Sequence, residues 1–231
     1  MPPTADHTTA HRAARAGLWA LPGYGILLGL GTLTHQPPVS DFDAYARYVT
    51  TGVFLASHLV ASIFGAALAI IGVVAATVFL VRGRAAGTAV AGLVLTTVTN
   101  VFLAAAFGSA AFVQPGIGRA HLNGVPGMPA LNDDTAYGPA LFATALSATF
   151  VLIVAAIVVG TAIARTSRRL RWPGIAYAVL IPLFALSGFL LEPVQPVAGF
   201  ALAVATTVLA LRLPAETDAA PAGAPAEPAV S

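Results

Sequence analysis

The residues best suited to chemistry in this sequence are three histidines, His35, His58 and His121, and a small number of carboxylates. Imidazole nitrogens and carboxylate oxygens together ligate hard to borderline metal ions. No H-x-x-x-H or H-E-x-x-H spacing joins these histidines, so they would have to converge from different segments. The carboxylates predicted on the same side of the protein are Asp41, Asp43, Asp133, Asp134 and Glu192. The sequence therefore offers a metal site only if the fold brings these segments together.

Other kinds of chemistry lack the residues they need. The chain has no cysteine, which removes disulfides, thiolate metal sites, iron–sulfur clusters and cysteine nucleophiles. It also has no phosphate loop, dinucleotide fingerprint or Gly-x-Ser-x-Gly elbow. A transmembrane haem usually needs two histidines on facing helices, and His58 is the one histidine inside a long apolar segment. We therefore expect no cofactor and lean towards a protein that is not an enzyme.

The elements that position these residues follow from the composition. Of 231 residues, 58% are hydrophobic and 9% are charged, and the mean hydropathy is +0.85. A helix needs about 20 apolar residues to cross a bilayer, so the chain has room for about six spans and no large soluble domain. The sequence predicts an all-α integral membrane protein, a six-helix bundle, with the lipid bilayer as its main partner. Whether it forms a homo-oligomer stays open.

Six apolar segments are candidates for these spans. They cover residues 17–33, 52–81, 85–113, 139–164, 173–191 and 194–213. Residues 1–16 form an N-terminal segment, and the first span is interpreted as an uncleaved helix because no A-x-A pattern follows it. Residues 214–231 are rich in Ala and Pro and are predicted to be a disordered tail.

The arginines predict the orientation of the bundle. With six spans, nine of the eleven arginines fall on the side of the termini, and only Arg47 and Arg119 fall on the other. Positive residues are retained in the cytoplasm, so both termini are expected there, with loops 34–51 and 114–138 outside the plasma membrane. The use of arginine without lysine is typical of GC-rich bacterial sequences. The arginines make no continuous basic stripe, so a nucleic-acid partner is not expected.

Small residues predict where the helices pack. In the second span a heptad seam is formed by His58, Ser62, Gly65, Ala69, Gly72 and Ala76. The first span carries Gly25-x-x-x-Gly29, and the third has a stripe from Gly92 to Gly108. Each pattern indicates a face that a neighbouring helix contacts closely.

Four residues are candidate ligand-binding residues: His58, Ser62, Asn100 and Glu192. His58 is predicted about 9 Å below the outer surface, and Asn100 lies near the middle of its span, where an amide facing lipid is costly. Two structural alternatives stay open. His58 would hydrogen-bond a backbone carbonyl or Ser62, and Asn100 would make an interhelical hydrogen bond.

Three functions are compatible with these residues. The leading hypothesis is a bundle that binds or transports a small apolar or weakly polar ligand in an outward-facing pocket. The second is a membrane-embedded metal- or haem-dependent enzyme that uses the outer histidines and carboxylates. The third is an accessory subunit without a ligand, whose bundle interior would be filled.

Overall fold

The structure is a computed structural model that describes residues 5–218, and every regular element in that range is a helix. Five helical segments are long and apolar enough to cross a membrane. They cover Gly52–Leu80, Ala86–Leu122, Pro139–Ala164, Arg171–Leu190 and Val194–Asp218. The described chain is thus all-helical and carries five candidate membrane-spanning helices.

The first predicted span, residues 17–33, forms only the short helix α2 (Ala20–Gly31), and a separate helix, α1 (Ala5–Gly17), covers most of the predicted N-terminal segment. Pro22 has no N–H to donate to the carbonyl of Leu18, which accepts instead from the nitrogen of Leu21 at 3.1 Å. The bond from residue 22 to residue 18 is therefore missing, and α2 begins with Pro22 in its first turn. At 12 residues, α2 is about 18 Å long, which is shorter than the hydrocarbon core of a bilayer.

The other spans lie close to their predicted positions. The second is continuous but changes type, running through α4 (Gly52–Ala56), a π-helical segment (Ser57–Phe64) and α5 (Gly65–Leu80). The remaining long helices are α6 (Ala86–Phe112), α9 (Pro139–Ala164), α10 (Arg171–Leu190) and α11 (Val194–Asp218). Three short helices, α3 (Phe42–Val49), α7 (Gln114–Leu122) and α8 (Met128–Asp134), occupy the two long loops.

Six helices contact each other in a closed ring. In order around the ring they are α2, α11, α10, α9, α6 and α5, and α5 returns to α2. Although α2 is short, it packs between α5 and α11 as an integral member of the ring.

Glycines allow the helices of this ring to approach backbone to backbone. A Cβ added to Gly25 would lie 2.5 Å from the nitrogen of Ala203, and one added to Gly199 would lie 2.5 Å from the nitrogen of Gly29. The prediction that Gly25-x-x-x-Gly29 forms a helix contact is confirmed, with α11 as the partner. On α5, a Cβ at Gly72 would lie 2.5 Å from Leu21 of α2. The part of the second-span seam that lies on α5 therefore contacts α2.

The third-span stripe holds in part. A Cβ at Gly92 would lie 2.6 Å from the side chain of Val159 on α9. Gly108, at the other end of the stripe, has no neighbour from another helix within 4 Å. The contact between α6 and α9 therefore covers only the first part of the predicted stripe.

The arginine-rich end is held by ion pairs to the end of α11. Asp218 binds Arg15 at 2.7 Å and lies 4.0 Å from Arg82, while Glu216 binds Arg169 at 3.3 Å. The prediction of a disordered tail from residue 214 is wrong for residues 214–218, because these ion pairs hold the last turn of the helix. Residues 219–231 of that predicted tail, and residues 1–4 of the N-terminal segment, lie outside the described residues.

At the opposite end, α3, α7 and α8 pack together as a cap. The cap has its own apolar core, formed by Phe42, Tyr45, Ala46, Val49, Phe54, Ala110 and Ile117. Asp41 begins α3 as its N-cap by accepting from the nitrogen of Ala44 at 3.1 Å. The two long loops are therefore folded structure.

Candidate functional site

A cavity of about 420 Å³ lies inside the ring and extends to the end that carries the cap. All six helices of the ring contribute to its wall or its rim. The four predicted ligand-binding residues, His58, Ser62, Asn100 and Glu192, all line it. Its volume is within the range of pockets that bind small molecules in proteins. The structure thus brings together residues that are as far apart in sequence as Tyr24 and Gln195.

The π segment forms one wall of this cavity and carries two of the four predicted residues. Side-chain donors compete there for backbone carbonyls: the carbonyl of Phe54 accepts from Oγ of Ser57 at 2.9 Å and from Nδ1 of His58 at 2.9 Å. Ser62 donates to the carbonyl of Ser57, five residues earlier, at 3.2 Å. Such bonds favour the wider i to i+5 turn, and π-helical turns occur frequently at functional sites.

His58 is held in one orientation by its own helix. Its ring lies 4.1 Å from the ring of Phe54 and 6.1 Å from that of Phe107. Nδ1 lies 2.9 Å from the carbonyl oxygen of Phe54 and 3.0 Å from Oγ of Ser57, whose own hydrogen goes to the same carbonyl. Because the carbonyl can only accept, Nδ1 carries the proton in the neutral imidazole and Nε2 is the acceptor. Nε2 has no protein partner within residues 5–218. The alternative that His58 bonds a backbone carbonyl is confirmed, and it leaves the second nitrogen available to a ligand.

Asn100 lies deeper on the wall and is 2% exposed. Its Nδ2 donates to the carbonyl of Thr96 at 2.8 Å, which is a bond within its own helix. The predicted interhelical hydrogen bond of Asn100 is therefore wrong. Thr99 makes that bond instead, donating to the carbonyl of Ala148 on α9 at 2.5 Å. Oδ1 of Asn100 thus has no protein partner in the described part of the chain.

The mouth of the cavity is crossed by polar contacts between loops. His35 and Glu192 pair at 3.0 Å, and both side chains are well exposed. Thr34 bonds the hydroxyl of Tyr48 at 2.9 Å, so the segment after α2 is tied to the cap. Glu192 is therefore a residue of the rim, whereas His58, Ser62 and Asn100 belong to the interior.

The third predicted metal-ligating histidine lies elsewhere. Nε2 of His121 is 2.6 Å from Asp43 within the cap, and its ring packs edge-on against Phe42. The hydrogen bond to His121, with the attraction of the imidazolium charge, lowers the pKa of Asp43 below its ordinary value. His35 and His58 share the cavity, but His121 does not line it. Among the described residues, no group of three or more His, Asp or Glu side chains is arranged to hold a metal ion.

The cap also buries a tyrosine hydroxyl. Tyr45 is fully buried and donates to Oδ1 of Asn132 at 3.4 Å. Burial is the main cause that raises the pKa of Tyr45. The cap therefore has a defined internal arrangement and is not a loose covering.

Several wall residues were missed by sequence reasoning. Gln195 lines the cavity, and its Nε2 donates to the carbonyl of Phe184 at 3.2 Å. Its signal was a lone polar residue in the first turn of an apolar segment, the same kind of signal that identified Asn100. Tyr24 and Phe107 also line the cavity, but aromatic residues in an apolar span give no signal of their own.

Comparison with protein-family models, with curated proteins and with solved structures finds no match for this chain.

Proposed function

We propose that this protein is a multi-pass plasma-membrane protein that binds a small, largely apolar molecule in the cavity between its helices. The cavity is the observation that carries the proposal. Its wall combines apolar and aromatic side chains with polar ones, of which Glu192 lies at the mouth and His58, Ser62 and Asn100 lie in the interior.

The proposed topology has six spans, with both termini in the cytoplasm and the cap outside. The position of α2 in the closed ring supports six spans, because a helix packed between α5 and α11 shares their depth. The ion pairs of Arg15, Arg82 and Arg169 with the end of α11 support a single arginine-rich end. That end would face the cytoplasm under the positive-inside rule.

Ligand binding accounts for the interior better than a purely structural role does. An accessory subunit needs no space between its helices, and close packing would fill it. Here Nε2 of His58 and Oδ1 of Asn100 are left without protein partners at the cavity wall. Both residues line the cavity, so a molecule or water bound there would complete their hydrogen bonds.

The test is to fill the cavity and examine what co-purifies. Ala185 lines the cavity, and Ala143 is an exposed alanine on α9. We expect Ala185→Phe to remove a small molecule that solvent extraction and mass spectrometry detect in the wild-type protein, and Ala143→Phe to retain it. The same extracted species from both variants, or none from the wild type, would argue against the proposal.

A further inference from the structure

Three hydroxyl groups on the cavity wall have their hydrogens already committed to the protein. Ser57, Ser62 and Thr149 each donate their hydroxyl to a carbonyl of their own helix. These bonds leave oxygen lone pairs as the groups that a ligand can meet.

Two atoms on the cavity wall without protein partners are acceptors. Nδ1 of His58 is committed to the carbonyl of Phe54, so the free atom of the neutral ring is the unprotonated Nε2. Oδ1 of Asn100 is a carbonyl oxygen. A ligand that satisfies either atom must therefore supply the hydrogen.

The charges of the wall disfavour an anion. Within residues 5–218, no arginine lines the cavity, and the one carboxylate on it, Glu192, lies at the mouth. An anionic ligand would pass this carboxylate and lose its hydration with no arginine to compensate it, and His35 at the mouth is already paired with Glu192.

The rings on the wall favour an aromatic body for the ligand. Besides His58, the cavity is lined by Tyr24, Tyr48, Phe107, Phe184 and Phe189. Aromatic rings stack on each other or meet edge to face with a gain beyond that of area burial. A flat aromatic molecule therefore fits this surface better than an aliphatic chain of equal area.

We propose that the ligand is an uncharged aromatic alcohol, with its ring among these aromatic side chains and its hydroxyl donating to Nε2 of His58. The inference rests on the proposed function, because it names the class of molecule that the same cavity binds.

Three naphthalenes of one ring shape test this inference. They are 2-naphthol, which is neutral at pH 7 and carries the donor, 2-methoxynaphthalene, which lacks it, and 2-naphthoate, which is an anion. Binding to the full chain in nanodiscs is measured by equilibrium dialysis, with empty nanodiscs subtracted. We expect 2-naphthol to bind about tenfold tighter than the ether, because it makes one additional hydrogen bond in a site without water. The anion should not bind.

A second measurement locates the hydrogen bond. In protein labelled with ¹⁵N-histidine, the Nε2 resonance of His58 should move on addition of 2-naphthol and stay in place with the ether. His58→Phe should abolish the preference for the naphthol and retain binding of the ether. His11→Phe, a matched change at the opposite end of the bundle, should leave the preference intact.

The outcomes separate the two proposals. If the ether binds as tightly as the naphthol, or if the preference survives His58→Phe, the aromatic-alcohol inference is wrong while the binding cavity stands. If neither neutral naphthalene binds above the empty-nanodisc level, the proposed function fails as well.

Discussion

The contact between α2 and α11 provides a sharp test of the packing, through the substitution Gly25→Ala. A Cβ at this position would lie 2.5 Å from the nitrogen, 2.8 Å from the Cα and 3.0 Å from the Cβ of Ala203. Two of these atoms are backbone, which cannot rotate away. The helices would have to separate by roughly 1 Å to restore ordinary carbon contacts of about 3.5 Å.

The expected magnitude follows from two opposing effects. Overpacking in a well-packed interior costs about 1–3 kcal/mol, and a clash with backbone belongs at the upper end of that range. Alanine is favoured over glycine within a helix by up to about 1 kcal/mol, which offsets part of the cost. We expect a net loss of about 2 kcal/mol, or roughly thirtyfold in the unfolding equilibrium constant.

Gly87 near the start of α6 is the matched control, because a Cβ there would meet nothing within 4 Å. Gly87→Ala should leave stability unchanged or raise it by up to about 1 kcal/mol. Reversible unfolding in bicelles, followed by tryptophan fluorescence, measures both variants. Equal shifts in the same direction would refute the assignment of Gly25 to a tight helix contact.

Three further predictions follow from other parts of the structure. In this cysteine-free chain, Ser40→Cys should react with an impermeant thiol reagent on intact cells and Ser167→Cys should not; the reverse pattern would invert the proposed topology. Thr99→Val should cost about 0.5–1.5 kcal/mol in the same unfolding assay by removing its bond to α9, and an unchanged midpoint would show that the bond contributes nothing. Because the pKa of Asp43 is lowered, its pairing with His121 stabilises the cap above about pH 3.9, and this stabilisation is lost as the pH falls through the lowered pKa. The melting temperatures of the wild type and Asp43→Asn should therefore differ at pH 6 and converge in acid. A constant difference between them down to pH 2 would contradict this linkage.

The positions of the long helices were predictable because hydropathy alone determines them. The predicted span of residues 139–164 matches α9 at both ends, and the others agree within a few residues, apart from the longer end of α11. The first span differs most, because α2 covers only Ala20–Gly31 of the predicted residues 17–33, and hydropathy does not show where its helix begins and ends. The continuation of α11 to Asp218 depends on ion pairs with arginines distant in sequence, which no local pattern reveals.

The candidate site was predictable in its residues and not in its geometry. His58 and Asn100 were identifiable because polar side chains within a span need a physical reason to be there. The hydrogen-bond partner of each side chain was not predictable, because the choice between a carbonyl of its own helix and one of a neighbouring helix depends on local backbone positions. The π segment was not predicted, because the heptad pattern assumes the same helical repeat along the whole span.

The π segment also has a consequence for how this helix tolerates changes in length. A turn closed by bonds from i to i+5 contains one residue more than an α-helical turn, so it stores the equivalent of a single-residue insertion. If one residue between Ser57 and Phe64 were deleted, the segment could return to α-helix. The contact of Gly72 with Leu21 and the position of Thr51 at the start of α4 would then stay unchanged. In evolutionary terms, the wall that carries His58 is a place where the chain can gain or lose a residue and turn a different side chain into the cavity while the rest of the bundle keeps its packing.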